Sequence, residues 1–155
     1  MPEVTLNLPT EDHTITLAQA LAETSRPGDC LLLTGEIGSG KSFLARAFIR
    51  SLAGVQDLEV PSPTFTLVQT YELGNCDVWH ADLYRLTDPQ EAIELGLIDA
   101  FDTAITVIEW PELLGEMIPP DALRIALSVG STNHKAVLTF SDAWTERLKG
   151  FVEIA

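Results

Sequence analysis

The sequence carries little positive charge. Nine Lys and Arg stand against 23 Asp and Glu, giving a formal net charge of −14. This excludes a broad nucleic-acid surface, because phosphate backbones need clustered cations. Cysteine is also scarce. Cys30 and Cys76 are too few for a disulfide framework, and Cys30, inside an apolar run, reads as a small buried residue. No apolar run approaches the roughly 20 residues of a membrane span. The opening Met1-Pro2-Glu3-Val4-Thr5 lacks the basic and long apolar regions of a secretion signal. These features lead us to expect a cytoplasmic protein with no membrane association. There is no internal repeat, heptad array or low-complexity linker. What is present is a chain of 155 residues, 46% hydrophobic, which suits one domain over 1–155 with a sizeable core.

The most informative stretch is Gly35-Glu36-Ile37-Gly38-Ser39-Gly40-Lys41-Ser42, which fills the pattern G-x-x-x-x-G-K-[ST]. It follows the apolar run Cys30-Leu31-Leu32-Leu33-Thr34. Beyond it, Phe43, Leu44, Ala47, Phe48 and Leu52 recur at helical spacing. Buried strand, glycine-rich loop and helix in that order suit a phosphate group. Glycines let the backbone wrap so that several N–H groups point inward, and the helix N-terminus adds free donors and partial positive charge. Gly35, Glu36, Ile37, Gly38, Ser39, Gly40, Lys41, Ser42 and Phe43 are therefore the candidate nucleotide-binding residues. Lys41 supplies a mobile point charge, and the Ser42 hydroxyl is a candidate Mg²⁺ ligand. In so acidic a chain, such a loop makes a local exception for a polyanion.

The remaining pattern predicts an α/β fold: a P-loop NTPase-like mixed β-sheet flanked by helices, with an antiparallel ribbon. Val4 to Leu8 alternates as a first strand. Leu17, Ala20 and Leu21 fit one face of a short helix capped by Thr16 and ended at Pro27-Gly28-Asp29. Pro61 and Pro63 oppose helix, and Phe65 to Tyr71 favours a strand that reverses at Gly74-Asn75 into Cys76 to His80. Asp88-Pro89-Gln90-Glu91 resembles a helix start, with Ala92, Leu95 and Gly96 beyond it. Thr103 to Glu109 reads as a buried strand ending on a carboxylate. Leu123 to Val129 and Ala136 to Phe140 read as further strands. A last short helix follows Ser141-Asp142 and carries Trp144, Leu148, Phe151 and Val152.

Nucleotide hydrolysis needs groups beyond the loop to hold Mg²⁺ and to orient water. Glu109 ends a buried strand, where open α/β sheets bind ligands, and is the acidic candidate for both tasks. Asp82 is a candidate to ligate Mg²⁺ directly, to act through water, or to hold a nearby loop. Thr64, on a proline-stiffened segment, is a candidate reporter of the terminal phosphate, although Ser-Pro-Thr is also ordinary turn chemistry. Arg85 suits phosphate, Asp82 or a partner protein. His80 suits capping, hydrogen bonding or packing beside Trp79. Trp79, Trp110 and Trp144 read first as packing residues. A GTP-regulated interaction protein or a small-molecule kinase shares such a loop. The guanine signatures Asn-Lys-x-Asp and Thr-Lys-x-Asp do not occur.

Taken together, the phosphate loop, Ser62-Pro63-Thr64-Phe65, His80-Ala81-Asp82-Leu83-Tyr84-Arg85, Asp88-Pro89 and Ile108-Glu109-Trp110-Pro111 resemble the TsaE (YjeE) family over nearly the whole chain. The resemblance implies a small bacterial ATPase that binds ATP and Mg²⁺. It implies action with two partners, TsaB and TsaD. TsaD transfers the threonylcarbamoyl group to adenosine 37 of tRNAs reading codons that begin with adenine. TsaE supports turnover of that assembly, and tRNA is met only through it. By resemblance Lys41 holds phosphate, Ser42 and Glu109 serve the metal, Thr64 belongs to a switch-like segment and Asp82 matches a functional aspartate. Lys41, Glu109, Asp82 and Thr64 are thus the candidate catalytic residues. The family loop often reads Gly-Asp-Leu-Gly-Ala-Gly-Lys-Thr. Here Glu36, Ile37, Ser39 and Ser42 depart from it, with carboxylate and hydroxyl retained, and Ala81 stands where a bulky aromatic is common.

Overall fold

The computed structural model describes residues 2–150. Its strands are β1 (Glu3–Leu8), β2 (Cys30–Thr34), β3 (Val68–Glu72), β4 (Asp77–Asp82), β5 (Ile105–Glu109), β6 (Leu123–Val129) and β7 (His134–Thr139). Its helices are α1 (Glu11–Thr24), α2 (Lys41–Ala53), α3 (Pro89–Glu94), α4 (Leu97–Thr103) and α5 (Asp142–Thr145). A 3₁₀ segment at Pro111–Met117 breaks at Gly115. The strands form one seven-stranded mixed sheet in the order β1-β7-β6-β2-β5-β4-β3. The four central strands, β6, β2, β5 and β4, run parallel. β1 and β7 close one side antiparallel, and the β3–β4 ribbon closes the other.

Period-two alternation explains the two-sided core. Leu31 and Leu33 of β2 join Leu44, Phe48 and Ile49 of α2 and Leu17 and Leu21 of α1 on one face. Cys30 and Leu32 face the other side, with Leu97, Phe101 and Leu114. Each large side chain so buried contributes about 1.5–3 kcal/mol. Arg147 ties the C-terminal region down: it donates to Thr24 O and Asp29 and stacks 3.8 Å above the Trp144 ring. Among the described residues no helix is long and apolar enough to cross a membrane.

Several boundaries differ from the sequence pattern, each for a local reason. α1 begins at Glu11, not at Leu17, because its first turns are largely exposed and carry no apolar stripe. Thr16 lies inside it and donates to Asp12 O at 2.9 Å, a bond available within a helix. The ladder of β3 starts at Val68 rather than Phe65. Leu67 takes φ 70° and donates to Pro63 O at 2.7 Å, so 65–67 turns. The helical stretch after Asp88 is two helices. Gly96, at φ 84°, separates them, and α4 absorbs Thr103. A Cβ at Gly96 would stand 3.4 Å from the Trp79 ring. Phe151 and Val152 of the last predicted helix lie outside the described residues.

Candidate functional site

The site forms where three parallel strands end side by side. Register pairs Leu33 of β2 with Glu109 of β5, and Glu109 with Asp82 of β4. Directly opposed residues share a face, so both carboxylates project on the side of α2. β2 then runs into the glycine-rich loop and α2 begins at Lys41.

Gly35, Gly38 and Gly40 hold φ values of 139°, 85° and 105°, conformations that glycine adopts without a Cβ penalty. At Gly35 a Cβ would also lie 2.4 Å from Leu127 O and 2.6 Å from Ser39 Oγ. The first intrahelical bond of α2 runs from Leu44 N to Gly40 O. The N–H groups of Lys41, Ser42 and Phe43 precede it and remain as donors at the helix start. Ser39 Oγ is buried with no hydrogen-bond partner among the described residues. Glu36 and Ile37 expose their side chains, Ile37 by 81%, so they contribute backbone to the loop. The Phe43 side chain turns elsewhere. It lines a groove of about 950 Å³ with Arg46, Ala47, Arg50, Val78 and Ile105.

Lys41 is 5% exposed. Its Nζ donates to Gly35 O at 2.6 Å and Glu36 O at 2.9 Å, holding the ammonium at the loop. The Trp110 ring centroid lies 4.3 Å from Nζ. Burial pushes the ammonium below the ordinary lysine value, opposed by the carboxylates of Glu109, Asp82 and Glu112. Trp110 takes φ 56°, ψ 59°, uncommon for a bulky residue. Tyr84 packs against its ring at 4.9 Å between centroids.

Glu109 is 2% exposed. Its Oε1 accepts from Ser42 Oγ at 3.0 Å, and its Oε2 meets His80 Nε2 at 2.7 Å. Asp82 faces a second group of partners. Its Oδ1 accepts from Tyr84 N at 3.0 Å and its Oδ2 from Thr64 Oγ1 at 3.3 Å, with Ser62 Oγ 2.8 Å from Thr64 Oγ1. Asp82 therefore ties the Ser-Pro-Thr segment to the end of β4. Arg85 stacks on Phe65, its guanidinium carbon 5.0 Å from the ring centroid.

Thr64 with Asp82 and Ser42 with Glu109 are thus two hydrogen-bonded pairs set side by side by the register of β4 and β5, with Lys41 in the adjoining loop. The donor set of Ser42 hydroxyl and carboxylate oxygens is hard and suits Mg²⁺, which also takes phosphate oxygens and water. The sequence alone names no definite partner for His80 or Trp110. The signal for His80 was its spacing: two residues before Asp82 on a strand puts both on one face.

The model of the family described as "Threonylcarbamoyl adenosine biosynthesis protein TsaE" matches residues 8–137. The tRNA threonylcarbamoyladenosine biosynthesis protein TsaE of Rickettsia felis is 34% identical over 148 residues, covering 96% of this chain and 86% of that protein. Its namesake in Bacillus subtilis is 32% identical over 127 residues, covering 81% and 78%. The crystal structure of YdiB from Bacillus subtilis superimposes with a TM-score of 0.78, covering 99% of this chain and 95% of that one. At 23% identity it shows the shared fold.

Proposed function

The chain belongs to the TsaE family of threonylcarbamoyl adenosine biosynthesis proteins, and from that membership we propose that it is a Mg²⁺-dependent ATPase of the cytoplasm. In this reading it supports turnover of a TsaB–TsaD transferase assembly that forms N6-threonylcarbamoyladenosine in tRNA. The observation that carries the ATPase reading is the contact of Ser42 with Glu109 at 3.0 Å, beside Lys41 in its glycine-rich loop.

The chemistry follows from the residues. Loop N–H groups and the ammonium of Lys41 receive the phosphate oxygens. With two of its protons on loop carbonyls, the ammonium keeps a third for the ligand. Mg²⁺, when bound, neutralises charge on the phosphates, and Ser42 and Glu109 are the residues to hold it. Glu109, enclosed and oriented, is also the group that orients water toward the terminal phosphate. Asp82 and Thr64 keep the Ser-Pro-Thr segment against the site, where its position can follow the nucleotide state. The acidic surface offers tRNA no broad binding face, so the link to tRNA runs through the partner proteins.

Hydrolysis and binding measured with ATP and GTP, with and without Mg²⁺, test the enzymatic half. Preferential ATP binding and Mg²⁺-dependent release of phosphate are expected. Equal or tighter GTP binding contradicts the ATP assignment, and undiminished hydrolysis in excess EDTA contradicts the metal assignment.

A further inference from the structure

We propose that His80 is a positioning residue for Glu109: its Nε2–H donates to Oε2 and thereby turns Oε1 toward the Ser42 hydroxyl and the metal. The inference rests on the Mg²⁺–nucleotide reading above.

The geometry has three parts. First, a Glu terminal torsion is broad and roughly two-fold, and the single 3.0 Å contact from Ser42 restrains it from one side only. The 2.7 Å contact from His80 restrains the other oxygen. Second, the imidazole is fixed by the fold. It sits on β4 with neighbours on both sides, opposite Gln69 of β3 and Val107 of β5, and its residue is 1% exposed. A ring so enclosed is a rigid reference for a carboxylate. Third, its tautomer is determined by its surroundings. An ionised carboxylate only accepts, so the short contact requires the proton on Nε2. Nδ1 is buried and has no partner among the described residues. A proton there would be a buried donor without an acceptor, at a cost of about 1–3 kcal/mol. Of the two tautomers, the Nε2–H form satisfies both conditions.

His80 touches neither the loop nor Ser42 in the contacts described, so its effect passes through Glu109. Partners that orient a metal-binding side chain are worth about 10–100-fold in metal affinity.

The test uses an isosteric pair in the full chain. His80→Gln keeps an N–H donor, and His80→Met keeps similar length without one. Mn²⁺ serves as the probe, titrated into the protein–ADP complex and followed through the electron paramagnetic resonance signal of free Mn²⁺. ADP affinity in EDTA, measured with a fluorescent methylanthraniloyl ADP, reports the phosphate loop alone. The expected result is Mn²⁺ affinity within about threefold of wild type for His80→Gln and about 10–100-fold weaker for His80→Met, with unchanged ADP affinity in EDTA for both. In a Glu109→Ala background the Gln and Met variants should no longer differ. Wild-type Mn²⁺ affinity in His80→Met overturns the proposal, as does an equal loss in both variants. Loss of ADP binding in EDTA by His80→Met also overturns it, assigning His80 to the fold of the site instead. If wild-type protein hydrolyses no ATP while the Gln–Met split persists, the ATPase reading fails and the role of His80 stands. If wild-type protein binds no ADP, both fall.

Discussion

Ser42 and Glu109 are separated by 67 positions in the chain, yet the Ser42 hydroxyl donates to Glu109 Oε1 at 3.0 Å. The contact joins the first turn of α2 to the end of β5. It exists because β2 and β5 are adjacent and parallel, with Leu33 opposite Glu109. The loop leaving β2 must then carry α2 back across the end of β5.

Glu109→Gln separates chemistry from binding. The amide preserves shape and removes the negative charge. Hydrolysis should fall on the order of 100-fold or more, while ATP association and folding stay close to wild type. Single-turnover hydrolysis at saturating Mg²⁺ checks this, and wild-type turnover by the mutant would end the claim.

Lys41→Ala removes the ammonium and leaves the backbone cradle. A charge-assisted hydrogen bond is worth about 1.5–3 kcal/mol, so ATP affinity should drop about 10–100-fold, with little hydrolysis left. Isothermal titration on folded mutant protein measures it. Unchanged affinity and turnover would reject the phosphate role.

Gly35→Ala addresses the loop's backbone. Position 35 holds φ 139°, and the new methyl would meet the Leu127 carbonyl at 2.4 Å, a backbone atom that cannot swing aside. Backbone strain alone costs about 1–3 kcal/mol. The melting temperature should therefore fall by about 5 °C or more. A melting curve that superimposes on wild type would show that the loop has room the geometry denies it.

Much of this site is legible in the chain before folding is considered. The loop's glycines mark a tight turn from β2 into α2 because few other residues tolerate those backbone angles. The apolar run into Glu109 marks a buried strand with a carboxylate at its end. Other features depend on tertiary placement. The left-handed turn at Leu67 swings Thr64 onto Asp82, and β propensity over 65–71 does not register it. The exposed first turns of α1 escape an apolar periodicity. His80 gains its meaning only when β4 lies beside β5, and Trp110 only when its own left-handed backbone brings the ring over Lys41.

The two cysteines should differ sharply toward alkylating reagents. Burial pushes the Cys30 thiol up to about 12, and the residue is 1% exposed. At pH 8 its thiolate fraction is then roughly one in ten thousand, and thiolate is the reacting form. Cys76 is half-buried and near the ribbon turn. Iodoacetamide on native protein followed by peptide mass spectrometry should find Cys76 modified and Cys30 intact. Denaturation should release Cys30, and rapid native labelling of Cys30 would contradict its place in the core.

Under the proposed function, the site of Lys41, Ser42 and Glu109 sustains repeated tRNA modification through TsaB and TsaD. Threonylcarbamoyladenosine formation is best followed over many turnovers with TsaB and TsaD from the same source, threonylcarbamoyl donor, tRNA and ATP. The comparison is with no added chain, with wild-type chain and with Glu109→Gln. Product should stall at about one equivalent per assembly without the chain or with the mutant, and accumulate over many equivalents with wild type. Full multi-turnover modification without the chain, with neither rate nor extent changed by adding it, would contradict the account.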